Sequence, residues 1–145
     1  MQTKNLLVLI LFLALTSVGM AQVRISVSDL NGTKWKIKSA VPSGYYEFTS
    51  GKMIWNHSKG TSVYLYYLTD RPVTDSDVSD FDRSRVGKST KGSYLMELIQ
   101  NDLGERNRCF HILSFDKKAG IMTMKMVTKG VLYSGDPTIT YLLIK

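Results

Sequence analysis

Cys109 and His111 stand two residues apart in the segment Arg108-Cys109-Phe110-His111-Ile112. In a strand that spacing puts thiol and imidazole on one face, because successive side chains alternate. A thiol nucleophile needs a His base within hydrogen-bond reach and a third group to orient that base. No carboxylate occupies a matching position, so the pair reads as inward packing with a satisfied imidazole, continued along the face by Leu113 and Phe115. One cysteine and two histidines also fall short of the three or four Cys, His or carboxylate ligands of a zinc site. A second group is Met122-Thr123-Met124-Lys125-Met126, three thioethers on one strand face with Thr123 and Lys125 on the other. Thioethers can hold Cu(I), line adaptable pockets or fill a core. Core packing is the expectation, with a ligand pocket as the functional alternative. A third group is Asp70, Asp75, Asp77, Asp80 and Asp82. A calcium loop starting at Asp75 lacks Gly at its sixth position and Glu at its twelfth, so these carboxylates read as a solvated loop. Phosphate loops, catalytic serine elbows and dinucleotide fingerprints are absent.

The elements that would carry these residues are strands. Thr33-Lys34-Trp35-Lys36-Ile37-Lys38 alternates with period two, with Trp35 and Ile37 on one face and three lysines on the other. Tyr45 to Thr49 and Lys52 to Asn56 are joined by Ser50-Gly51, a hairpin signal. Residues 57–60 turn the chain into Thr61 to Thr69, rich in β-branched and aromatic residues. A long connection, Asp70 to Gly92, follows, with a short helical turn near Val78 to Phe81. Its length is that of a lid or partner-binding segment, and Phe81 and Val86 would let it cover a barrel mouth. Strands resume at Ser93 to Ile99, Arg108 to Phe115, Ile121 to Val127, Val131 to Ser134 and Thr138 to Ile144, with turns at Gln100 to Arg106, 116–120 and 135–137. Eight or nine short antiparallel strands form either a sandwich or a barrel. The short turns favour an all-β, up-and-down barrel of about eight strands.

The N-terminus is a targeting segment. Lys4 precedes an unbroken apolar run from Leu6 to Leu15; Thr16 and Ser17 follow, then the small residues Gly19 and Ala21. This is the order of a cleavable secretory signal, and ten apolar residues are too few for a bilayer span of about 20. Residues 1–21 are therefore expected to be removed, leaving residues 22–145 as a single exported domain. The formal charge of +7 comes from scattered cations, without the basic stripe or motif of a nucleic-acid binder. A secreted or periplasmic location is expected, with no nucleic-acid partner and no membrane span after cleavage.

At Leu30-Asn31-Gly32-Thr33-Lys34-Trp35-Lys36-Ile37 the first barrel strand resembles the opening of the lipocalin-like (calycin) barrels, in which a Gly precedes a Trp. The run Tyr45-Tyr46-Glu47-Phe48-Thr49-Ser50-Gly51-Lys52, and Phe115-Asp116 ahead of the Met-rich strand, is similar to small exported bacterial members of that group. The chain has one residue more between Gly32 and Trp35 than the lipocalin pattern, and no C-terminal helical pattern. The resemblance implies a cup-shaped barrel with the Trp closing one end, holding a small apolar or amphipathic ligand. Trp35, Tyr64, Tyr66, His111, Met122, Met124 and Met126 are the candidate lining residues. No cofactor, metal or catalytic set is expected. The alternative is an envelope interaction or accessory protein whose barrel interior is filled by side chains.

Overall fold

The computed structural model describes residues 21–38, 43–129 and 137–145. Its strands are β1 (Ile25–Ser26), β2 (Lys34–Ile37), β3 (Gly44–Phe48), β4 (Lys52–His57), β5 (Gly60–Thr69), β6 (Lys91–Gly92), β7 (Tyr94–Asn101), β8 (Gly104–Asp116), β9 (Ile121–Met126) and β10 (Thr138–Leu143); a one-turn helix, α1, spans Val27–Leu30. Strands β2, β3, β4, β5, β7, β8, β9 and β10 close in that order into a barrel, every neighbouring pair antiparallel, with β10 returning to β2. Among the described residues no helix is long and apolar enough to cross a membrane. The expected Val131 to Ser134 strand and the signal segment lie outside the described residues.

Period-two alternation decides what enters the barrel. Trp35 pairs with Tyr46, which pairs with Trp55; Phe48 pairs with Met53, and Met53 with Tyr64. These residues face inward, while Lys34 and Lys36 on β2 stay exposed. Burying one face and wetting the other fixes the register, since a one-residue slip would exchange the two. The lower half of the interior is packed with fully buried Trp35, Phe48, Leu68, Leu95, Ile112 and Met122. The N-terminal segment seals this lower end. Val27 and Leu30 of α1 join the core, and the Ser26 N–H and hydroxyl both donate to the Asp29 carboxylate at 2.8 Å, capping the helix. Trp35 Nε1 donates to Thr33 Oγ1 at 2.7 Å, so the buried indole N–H is satisfied, and Thr33 Oγ1 in turn donates to the Leu30 carbonyl.

Three features depart from the sequence expectation. The 100–106 segment is not a loop: β7 and β8 run on to Asn101 and Gly104 as one tight hairpin. On β8 the pairing with β9 shifts between Ile112 and Ser114. This bulge leaves Leu113 exposed and turns Phe115 inward, 5.9 Å from the Trp35 ring. Leu113 therefore stays on the outward Cys109–His111 face, and Phe115 leaves it. Phe81 and Val86 do not cover a barrel mouth: the 70–92 connection runs as a strap over the outer wall of β5, β7 and β8, and only its end, β6, joins β1 at the lower end. There Phe81, Val73, Val78 and Val86 pack on Tyr67, Met96, Leu98 and Cys109 to form a second apolar cluster. The strap is pinned by Arg83 to Glu105 at 2.7 and 2.8 Å, Asn107 Nδ2 to the Asp77 carbonyl at 2.6 Å, and the Lys129 N–H to the Thr74 carbonyl at 2.8 Å. Outer-wall residues that are apolar need such a cover, which is why a loop of this length folds back instead of projecting.

Candidate functional site

At the waist of the barrel, above the packed lower half, the interior changes character. Tyr66 pairs across strands with Glu97, and Glu97 with Arg108, so a carboxylate and a guanidinium share the inward face with a phenol. Glu97 has no solvent exposure. Arg108 Nε donates to Glu97 Oε2 at 2.9 Å and Nη2 to Oε1 at 3.0 Å, with Nη2 also 2.7 Å from Oε2. This two-pronged geometry gives the strongest form of the contact. Burial pushes the Glu97 carboxyl above the usual range, and the Arg108 charge and hydrogen bonds oppose it. For Arg108, burial works against the charged form, but Glu97 outweighs it and the guanidinium is held more firmly protonated. The two-pronged contact sets the Arg108 charge directly against the Glu97 carboxyl and favours its ionised form, in opposition to burial.

The two partners differ in solvent contact. The Arg108 side chain keeps 24% of its surface exposed and Glu97 keeps 0%, so the pair's contact with solvent falls on the Arg108 side. Around Arg108 stand the buried Phe110 ring and the half-buried Tyr64 ring, with centroids 5.5 and 6.0 Å from the guanidinium carbon, and the half-buried Tyr46. The Tyr46 ring lies 4.5 Å from Trp55 and 6.0 Å from Tyr141. Burial, then the nearby Glu97 charge, raises the Tyr46 phenol pKa far above its ordinary value, so it is a neutral donor and acceptor. Among the described residues no hydrogen bond engages Arg108 Nη1 or the Tyr46 and Tyr64 hydroxyls. Room for the Trp55 indole depends on Gly44: a Cβ there would lie 2.6 Å from Trp55 Cη2 and from the Asn56 carbonyl oxygen.

The candidate lining residues divide. Trp35, Tyr66, Met122 and Met124 are buried in the barrel core, Met126 lies just inside it, and Tyr64 is half-buried beside them. Tyr66 is tied down, its hydroxyl donating to the Thr49 carbonyl at 2.7 Å. His111 is not with them. It lies on the outer wall, its ring stacked 4.7 Å from Tyr94. Cys109, expected to pack inward, also faces outward, buried beneath the strap, where burial pushes the thiol up to about 11. The two side chains therefore sit outside the lumen. Of the loop aspartates, Asp77 and Asp82 accept from the Ser79 and Ser84 N–H groups as turn caps, and Asp70 binds Arg24. Among the described residues no cluster of His, Cys, Asp or Glu forms a metal site.

Sequence reasoning missed Glu97 and Arg108. The signal was present: Leu95-Met96-Glu97-Leu98-Ile99 is an apolar strand run with one carboxylate in it, and Arg108 opens the strand that follows. Two surface depressions, of about 410 and 210 Å³, lie elsewhere, one lined by Lys36, Tyr45 and Asn56, the other by Ser26, Asn31 and Lys88. The first is an open groove on the outer wall, and neither includes Glu97 or Arg108. The closed eight-stranded antiparallel ring, sealed at its lower end beneath Trp35, fits a calycin-like fold. Comparison with known protein families, curated proteins and solved structures finds no match to this chain.

Proposed function

We propose that this chain is an exported, lipocalin-like binding protein of the bacterial envelope that holds a small amphipathic molecule in the upper half of its barrel. The observation that carries the reading is the Glu97–Arg108 pair at the waist of the lumen, with Arg108 open to solvent. Charged groups are rare inside small barrels because removing them from water costs several kcal/mol each (about that much even after relaxation). A ligand with an apolar body and one polar group suits such a lumen. Its body would lie against Trp55, Tyr46, Tyr64 and Met126, and its polar group would reach the free Arg108 N–H groups and the phenols. The export signal over residues 1–21 supports a secreted or periplasmic location. A role as a binder and not an enzyme is supported by the separation of Cys109 and His111 from the lumen and by the lack of an orienting carboxylate for them.

The packed lower half favours a second reading, an envelope accessory protein with a filled barrel. Native mass spectrometry of protein purified from its own host, followed by titration of Trp fluorescence with the released molecule, separates the two. A co-purifying small molecule that changes Trp emission supports the first reading. An empty barrel carrying a stable protein partner overturns it.

A further inference from the structure

We infer that the lumen selects ligands whose polar group is uncharged, and that Glu97 is the residue that sets this selectivity. The inference rests on the lumen-binding reading above. A lone guanidinium in a barrel would draw a carboxylate. Here the guanidinium already has one, fixed by contacts of 2.7 to 3.0 Å and inaccessible to solvent. A ligand carboxylate placed on Arg108 Nη1 would stand beside the Glu97 carboxylate, two anions sharing one cation. An ammonium group would meet the guanidinium instead, because Glu97 is buried behind it. A hydroxyl or carboxamide meets neither penalty. Its oxygen can accept from the Arg108 Nη1–H groups and from the Tyr46 or Tyr64 hydroxyl, and its proton can go to a phenol oxygen. Buried donors that find a matching acceptor discriminate strongly against a ligand that cannot offer one.

The test uses four probes with the same alkyl chain: decanol, decanamide, decanoate and decylammonium, titrated into the full mature protein by calorimetry and Trp fluorescence, where both ions are charged. Decanol and decanamide are expected to bind at least about tenfold more tightly than either ion, one power of ten being a modest share of an uncompensated buried charge. Decanoate binding as tightly as decanol, or more tightly, overturns the selectivity while leaving lumen binding intact. Failure of all four to bind, with no change in Trp emission, overturns the lumen reading itself and the selectivity with it. Glu97→Gln gives the second arm. It removes the competing anion and keeps the shape, so decanoate should gain about tenfold relative to decanol; an unchanged ratio overturns the role of Glu97. Should the variant fold poorly, the four-probe comparison on the native sequence decides alone.

Discussion

Removing Arg108 should cost more than removing Glu97, although the two form one ion pair. In Arg108→Leu the Glu97 carboxylate stays fully buried with its countercharge gone. Breaking a buried pair in this way costs about 3–5 kcal/mol. In Glu97→Leu the orphan is Arg108, whose side chain is 24% exposed and can hydrate through the lumen, so the cost falls towards the about 1–3 kcal/mol of an unsatisfied polar group. The double replacement leaves no orphan and should cost less than the sum of the singles, since an apolar pair of suitable volume often matches or exceeds a buried ion pair.

The pH dependence carries the sharper test. The folded-state pKa of Glu97 is raised by burial above the ordinary value of 4.5 and held back by Arg108; without Arg108 it rises further. A carboxyl with a raised folded pKa keeps its proton longer in the folded state than in the unfolded one. Its penalty is therefore absent below 4.5, where both states are protonated, and grows as pH rises to the folded value, by about 1.4 kcal/mol per unit. Urea unfolding of Arg108→Leu, followed by Trp emission between about pH 5 and pH 8, should show a deficit against the native sequence that widens with pH. A deficit constant over that range, or equal losses for the two single variants, would refute the account of the waist.

Four further outcomes follow from the described geometry. Cys109, buried with its thiol pushed up to about 11, should ignore an aromatic disulfide reagent in the folded protein and react on unfolding. Phe81→Ala strips the largest strap residue from the outer cluster; it should cost about 3–5 kcal/mol if the strap does not collapse onto the gap and should speed Cys109 labelling, which unchanged labelling would contradict. Gly44→Ala should displace the Trp55 indole and cost about 1–3 kcal/mol through overpacking, visible as a shift in Trp emission together with a lower unfolding midpoint. N-terminal sequencing of protein recovered from its host should begin at Gln22; an intact Met1 would overturn the export reading.

The strand rhythm was legible because burial on one face imposes period two. The Lys34–Ile37 alternation, the 49–51 hairpin, the Met-rich strand and the ring order by short turns all follow from it. What the pattern could not carry is where that period breaks. A bulge at Leu113 adds one residue without a composition signature, so Phe115 read as a neighbour of His111 when it faces the opposite way. The side on which Cys109 lies was equally hidden. Cys109, Met96 and Leu98 are as apolar as the residues that face inward, and only the strap makes the outer wall a tolerable place for them. A loop holding Phe81 among aspartates reads as a mouth cover or a wall cover with equal ease, since both bury one aromatic.

From Leu95 to Ile99 strand β7 is apolar on both faces except at Glu97, and that exception points inward, across from Arg108 on β8. The inner row runs Leu95, Glu97, Ile99 on β7 and Arg108, Phe110, Ile112 on β8; the outer row holds Met96, Leu98 and Cys109. A one-residue slip would bring Met96, Leu98 and Cys109 inside and expel the ion pair, but it would also expel Leu95, Phe110 and Ile112, so the register is held by these neighbours and not by the pair. Apolar residues at 97 and 108 would satisfy the same register, the same hairpin and the same strap. The fold thus has no need of the charges it buries, and a stability cost at a position the fold leaves free is most simply explained by what the lumen holds. That makes the double replacement at positions 97 and 108 the informative variant. It should retain the barrel, shown by native-like unfolding and a protected Cys109, while losing the preference for decanol over decanoate; a double variant that no longer folds would place the pair in the service of the fold instead.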